Sequence, residues 1–143
     1  MAVTIRKITL WRAKVPNRPG ALAEVLESLA ATGADLQVVM GYREHGSNEA
    51  LIETYPISGR KLTQAAEAAG LGASSIPTVL VQGDNRAGLG YQIAKALADG
   101  GLNVAFLVAQ VVGRKFSAVY GFETEADADR ATTLIRRGAS SRR

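Results

Sequence analysis

The sequence predicts an α+β protein built of two ferredoxin-like units of βαββαβ type, each an antiparallel sheet with helices packed on one face. A repeat carries this prediction. Asn17-Arg18-Pro19-Gly20 recurs as Asn85-Arg86-Ala87-Gly88, an offset of 68 residues from Gly20 to Gly88 in a chain of 143. Gly33-Ala34-Asp35-Leu36 answers Gly101-Leu102-Asn103-Val104 at the same offset. The second observation is the matched order of strand-like and helix-like patterns around both copies. One folding unit is therefore used twice. The predicted boundaries are residues 1–72 and 73–137, with 138–143 as a flexible basic tail.

The elements follow in order. Residues 4–15 read as one strand, and 19–32 as a helix in which Leu22, Val25, Leu26 and Leu29 form one apolar stripe. Pro19 suits the first helical turn, where a missing N–H costs nothing, and Gly33 is placed as a C-terminal cap. Residues 35–42 and 49–57 read as strands joined through the hairpin loop His45-Gly46-Ser47-Asn48. A helix over 61–69 sets Leu62, Ala65, Ala66 and Ala69 on one face, and Gly70 and Gly72 stop it.

The second pass repeats the order with a strand over 76–83 and a helix over 88–99 that turns Ile93, Ala94 and Leu97 inward. Strands over 102–112 and 115–123 meet at Gly113, and a last helix over 125–137 carries Ala128, Ala131, Leu134 and Ile135. Each unit thus reads βαββα and wants a fourth strand. Either the first strand of one repeat serves as the last strand of the other, or part of the long N-terminal segment pairs at an edge. Residues 102–112 are apolar on both faces, with Val104, Phe106 and Val108 on one and Ala105, Leu107 and Ala109 on the other. A half-exposed antiparallel strand alternates. Cover on both sides is expected, by helices and by a second sheet or subunit, and with it a homodimer.

Composition narrows the function. No apolar run approaches the ~20 residues of a membrane helix, and residues 1–15 lack the design of a signal peptide. The chain has no cysteine, hence no disulfide framework or thiolate chemistry, and a cytoplasmic location is expected. The net charge of +4 and pI near 9.7 raise the alternative of a basic nucleic-acid-binding module. However, Arg130, Arg136, Arg137, Arg142 and Arg143 supply five of the seventeen basic residues and read as a solvated helix end. Residues 115–122 resemble an RNA-recognition octamer, but Ser117 and Val119 stand at its stacking positions. Gly88-Leu89-Gly90 lacks the third glycine of a dinucleotide loop, since Ile93 takes its place.

His45, Glu44 and Glu49 read as loop charges, and Arg43 is expected to pair with Glu53 across the hairpin. No group has metal-ligand spacing or the logic of a nucleophile and base. The expectation is a protein that is not an enzyme, with no catalytic residues, metal or cofactor. The polar chemistry lies instead in the two Asn-Arg-x-Gly loops. Free backbone N–H groups and the positive dipole end at Gly20 or Gly88 suit a carboxylate, and an Asn side chain both donates and accepts.

The run Val15-Pro16-Asn17-Arg18-Pro19-Gly20, its apolar helix and then Gly33-Ala34-Asp35-Leu36 resemble the start of an ACT domain. That is the small regulatory module appended to amino-acid biosynthetic enzymes such as phosphoglycerate dehydrogenase. The second repeat is similar but weaker. Together they cover nearly the whole chain, with no attached catalytic domain, so the chain resembles a free-standing tandem ACT protein. The resemblance implies an amino acid bound at the interface between ACT units, where a helix-start loop faces the start of the partner's second strand, and a metabolic enzyme as partner. It carries over Asn17, Arg18, Pro19, Gly20, Ala21 and Leu22 with Asn103, and in second rank Asn85, Gly88 and Leu89 with Asp35. The same loops can alternatively pair between subunits of a dimer. Asp84 and Asp35 put two carboxylates in the second set, which is expected to bind weakly or not at all. Val15 and Gly83 stand where serine-binding members carry histidine, so serine is not specified. The remaining alternative is a pure protein-interaction module whose ligand sites have decayed.

Overall fold

The computed structural model describes residues 3–140. Its elements are β1 (Val3–Ile8), β2 (Trp11–Pro16), α1 (Ala21–Ala30), β3 (Val38–Arg43), β4 (Glu49–Tyr55), α2 (Arg60–Ala68), β5 (Gly72–Ala73), β6 (Thr78–Asp84), α3 (Leu89–Asp99), β7 (Phe106–Val112), β8 (Lys115–Gly121) and α4 (Glu125–Ser140). Two four-stranded antiparallel sheets result, ordered β3-β4-β2-β5 and β1-β6-β8-β7. Each places its unit's fourth strand beside the first, which is the ferredoxin-like order.

One unit spans Thr9–Ser75, and the other joins residues 3–8 to 76–140. The predicted strand over 4–15 is therefore two strands. Residues 3–8 pair with β6, in register from Val3 opposite Gly83 to Ile8 opposite Thr78, while Trp11–Pro16 pair with β4. The N-terminal segment thus completes the later unit at its sheet edge. The earlier unit finds its fourth strand in Gly72 and Ala73, which pair with Arg12 and Trp11. Gly72 is accordingly a strand residue and not a helix stop; Gly70, at φ 90°, ends α2.

The repeat is reproduced hydrogen bond by hydrogen bond. Ala21 N–H donates to Arg18 O at 3.3 Å and Leu89 N–H to Arg86 O at 3.2 Å. Glu24 N–H reaches Gly20 O at 3.0 Å, and Gln92 N–H reaches Gly88 O at 2.9 Å. At the far helix ends Ala34 N–H donates to Leu29 O and Leu102 N–H to Leu97 O. Gly20 and Gly88 sit at φ 90° and 82°, left-handed conformations that cost an L-residue about 1–2 kcal/mol. That requirement explains why both loops end in glycine.

Each unit has its own core on the helix-bearing face of its sheet. In the unit 9–75, Ala13 and Ile52 of the sheet meet Val25 and Leu29 of α1 and Ala66 of α2. The stripe of α1 is rolled by one position from that predicted: Ala21 is buried, whereas Leu22 is 43% exposed. In the other unit Val79, Val81, Phe116, Ala118 and Tyr120 pack under Leu89, Ile93 and Leu97 of α3 and Ala128, Ala131 and Ile135 of α4. Ala94 is exposed, and Leu89 takes the inward position one turn earlier. Burying a leucine or isoleucine contributes about 1.5–3 kcal/mol, so these stripes hold the helices down. Lys7 fastens β1 to α4 by reaching Asp129 Oδ1 at 2.6 Å and Glu125 Oε1 at 2.8 Å.

One further expectation is corrected. Residues 138–140 are not a tail: α4 runs to Ser140, and Gly138 and Ala139 are buried. There is room for α3 only because Gly138 has no side chain, since a Cβ there would lie 2.8 Å from the Ala96 Cβ. Residues 141–143 lie outside the described residues. Strand β7 is an edge strand, and within the single chain its Leu107, Val108, Val111 and Val112 are 46–68% exposed.

Candidate ligand-binding site

The loop between β2 and α1 is held from both sides. Asn17 N–H donates to Asn48 O at 2.7 Å, tying it to the β3–β4 hairpin, and Arg18 N–H turns back to Pro16 O at 3.0 Å. No side chain caps α1. Its hydrogen-bond ladder opens with Glu24, so the N–H groups of Leu22 and Ala23 lie ahead of it. The Arg18 guanidinium meets Glu24 Oε1 at 2.9 Å. The pair holds Arg18 above and Glu24 below their ordinary pKa values, each chiefly through the shared hydrogen bond.

Beside this loop lies an open hollow of about 270 Å³, lined by Val15, Pro16, Asn17, Arg18, Ala21 and Leu22 with Gly41, Tyr42, Arg43, Ala50, Leu51 and Ile52. That is at the small end of ligand pockets, suited to a molecule of amino-acid size. Of the predicted residues it brings together Asn17, Arg18, Ala21 and Leu22. Pro19 and Gly20 shape the loop beside it. Asp35 is exposed, ahead of β3 in the same unit, and does not line the hollow. Asn103, Asn85, Gly88 and Leu89 belong to the other unit.

The two repeats differ where it matters for space. At the positions of Ala21, Gly41 and Ala50, the other unit has Leu89, Ala109 and Phe116 in equivalent register. Leu89 and Phe116 are 1% and 5% exposed and belong to the core. At these three positions the other unit carries the larger side chain. At other lining positions the difference runs the opposite way, since Val15, Leu22 and Ile52 are answered by the smaller Gly83, Gly90 and Ala118. The charge expected to spoil the second loop is meanwhile compensated, because Asp84 meets Lys115 Nζ at 2.5 Å and its carboxyl is held below the ordinary value by that bond.

Sequence reasoning missed Gly41, Ala50 and Ile52, and it misplaced Arg43. Glu53 does not pair with Arg43; it bonds Tyr42 Oη at 2.6 Å and lies 3.5 Å from Arg12 Nη2. Aligning the repeats beyond their loop motif would have exposed the small residues. His45 lines an open hollow of about 630 Å³ at the hairpin tip with Arg43, Gly46, Ser47 and Asn48. Among the described residues no group of His, Asp or Glu could hold a metal ion, and no helix is long and apolar enough to cross a membrane. Phe116, Tyr120 and Phe122 are buried, which removes the aromatic platform that RNA stacking needs.

No family model matches this sequence, and no curated protein matches it. Solved structures do. A protein from Bacteroides thetaiotaomicron superposes with a TM-score of 0.77 at 14% identity, covering 93% of this chain and 89% of that one. The regulatory subunit of aspartate kinase from Thermus thermophilus gives 0.64 at 16% identity, over 96% and 97% of the two chains. The chain has a tandem ACT-type fold. Aspartate kinase from Clostridium acetobutylicum shares this tandem ACT-type architecture over 34% of its own length, with a TM-score of 0.60, 14% identity and 96% of this chain covered. The tandem ACT-type fold is thus one found in regulatory parts of enzymes, as the regulatory subunit from Thermus thermophilus shows.

Proposed function

We propose that this protein is a non-catalytic cytoplasmic regulator that binds a free amino acid at the loop Asn17-Arg18-Pro19-Gly20 and the hollow beside it. The observation that carries the reading is that hollow, which the small residues Ala21, Gly41 and Ala50 leave open beside an uncapped helix start. In this reading the ligand carboxylate meets the leading N–H groups of α1 and the Asn17 amide. The ligand side chain lies over Val15, Ala21, Ala50 and Ile52. Asn103 is retained as a second proposed contact, on the family resemblance alone. Self-association through the exposed edge strand β7, and action on a metabolic enzyme, complete the proposal.

A thermal-shift screen against the twenty amino acids tests it. A ligand at 100 times its dissociation constant stabilises by about 2.7 kcal/mol. The expected result is a shift with at least one amino acid that is lost in Asn17→Ala and reduced in Asn103→Ala. No shift with any amino acid, or one that survives Asn17→Ala combined with Asn103→Ala, would overturn the proposal.

A further inference from the structure

Resting on the amino-acid reading of the same hollow, we infer that its ligand is acidic, with Arg43 selecting a second carboxylate on the ligand side chain. The charged residues lining the hollow are Arg18 and Arg43, and no carboxylate lines it. Arg18 is already matched by Glu24. Arg43 is not matched. Among the described residues it makes no ion pair, because its carboxylate neighbours are engaged elsewhere. Glu44 and Glu49 lie 3.4 and 3.9 Å from Lys14 Nζ, and Glu53 is held by Tyr42 and Arg12.

The internal repeat supplies a control on this residue. Arg43 lies opposite Ala50 at the end of β3, and the same register position in the other unit is Val111, opposite Phe116. The fold therefore accepts an apolar residue there and does not need the charge. The cation is present beside the hollow and absent at the matching register position of the other unit. A guanidinium beside this small hollow offers a planar, two-donor match to a carboxylate. An amide in place of that carboxylate accepts through one oxygen only, turns a donor toward the guanidinium with the other atom, and brings no charge.

The test compares L-glutamate with L-glutamine, which share shape and differ in charge, by titration calorimetry on the full chain and on Arg43→Val. Glutamate is expected to bind at least tenfold tighter than glutamine to the unaltered protein. In Arg43→Val that ratio should fall to near one while the melting temperature of the ligand-free protein holds. Equal binding of the two, a preference for glutamine, or a glutamate preference that survives Arg43→Val overturns the inference. In those cases the amino-acid reading itself stands if the bound ligand is lost on Asn17→Ala. If neither of these ligands nor any other amino acid binds, both readings fall together.

Discussion

Tyr42 donates its hydroxyl hydrogen to Glu53 Oε2 across 2.6 Å, between adjacent strands β3 and β4. Glu53 is 1% exposed, and Arg12 Nη2 lies 3.5 Å from the same oxygen. Glu53 Oε1 and Arg12 Nε are buried without a hydrogen-bond partner among the described residues. A charge so placed depends on the few groups that meet it. Removing one should cost more than a surface pair would. Tyr42→Phe is expected to lower stability by about 1–2 kcal/mol, the range for a hydrogen bond to a charged group. Glu53→Ala should fall short of the about 3–5 kcal/mol seen when a fully buried pair is broken, because the Arg12 side chain is 34% exposed and solvent compensates it. Urea denaturation of both variants checks this, and an unchanged midpoint in Tyr42→Phe would show the bond to be worth little.

The protein is expected to lose stability in alkali through buried phenols. Burial pushes Tyr120 up to about 12 and also raises Tyr42, where the Glu53 hydrogen bond adds to the shift. Unfolded tyrosine titrates near pH ~10. The contribution of a raised group is complete below that value. It fades as pH climbs toward the folded value, because the unfolded chain then binds fewer protons. For Tyr120 the loss is on the order of 2 kcal/mol across that window. Tyr120→Phe should flatten the alkaline limb of a stability–pH curve, and a limb as steep as in the unaltered protein would remove Tyr120 as its cause.

Ala50→Phe puts the larger side chain of the other unit into the hollow. Ligand binding should disappear while circular dichroism and melting remain close to those of the unaltered protein. The converse change, Phe116→Ala, empties a filled core position and should cost about 3–5 kcal/mol. Binding that persists in Ala50→Phe would place the ligand elsewhere.

The helices, the hairpins and the doubling could be read from the chain because their signals are local: apolar spacing, glycine at helix ends, and a loop motif recurring at 68 residues. What could not be read depends on partners distant in sequence. Nothing between Ile8 and Trp11 marks a break, since Thr9 and Leu10 are as strand-compatible as their neighbours; only separate pairing with β6 and β4 divides the run. Strand β5, Gly72 and Ala73, has too few side chains to show a pattern. The loop of the candidate site was visible as a motif. Its floor was not, because Gly41 and Ala50 are informative only when set against Ala109 and Phe116 on paired strands.

Ending the chain after Arg137 should destabilise it, since Gly138 and Ala139 are buried in the contact with the rest of their unit. Gly138→Ala should also destabilise. Its Cβ would meet Gln92 O at 2.9 Å, and an overpacking cost of about 1–3 kcal/mol outweighs the gain in helix propensity. A melting temperature unchanged by both alterations would restore residues 138–140 to the status of a tail.

Val111→Lys on the exposed edge strand is expected to shift a self-associating protein toward the monomer in analytical ultracentrifugation, because a charge on an edge opposes strand pairing. Its effect on the stability of the monomer should stay within about 0.5 kcal/mol, as for other exposed sites. A sedimentation profile identical to that of the unaltered protein would exclude β7 as the contact.

Ile8 and Thr78 are register partners, so the chain leaves one sheet, builds an entire second unit, and returns beside its point of departure. On the ribosome β1 emerges first yet waits for β6, while the intervening unit already has all its strands. Once folded, that unit acts as a clasp that draws the two ends together. Melting it turns the clasp into a slack tether, and closing a longer loop costs entropy that grows with its length. Anything that steadied residues 9–75 would therefore shorten that loop and favour the pairing of β1 with β6.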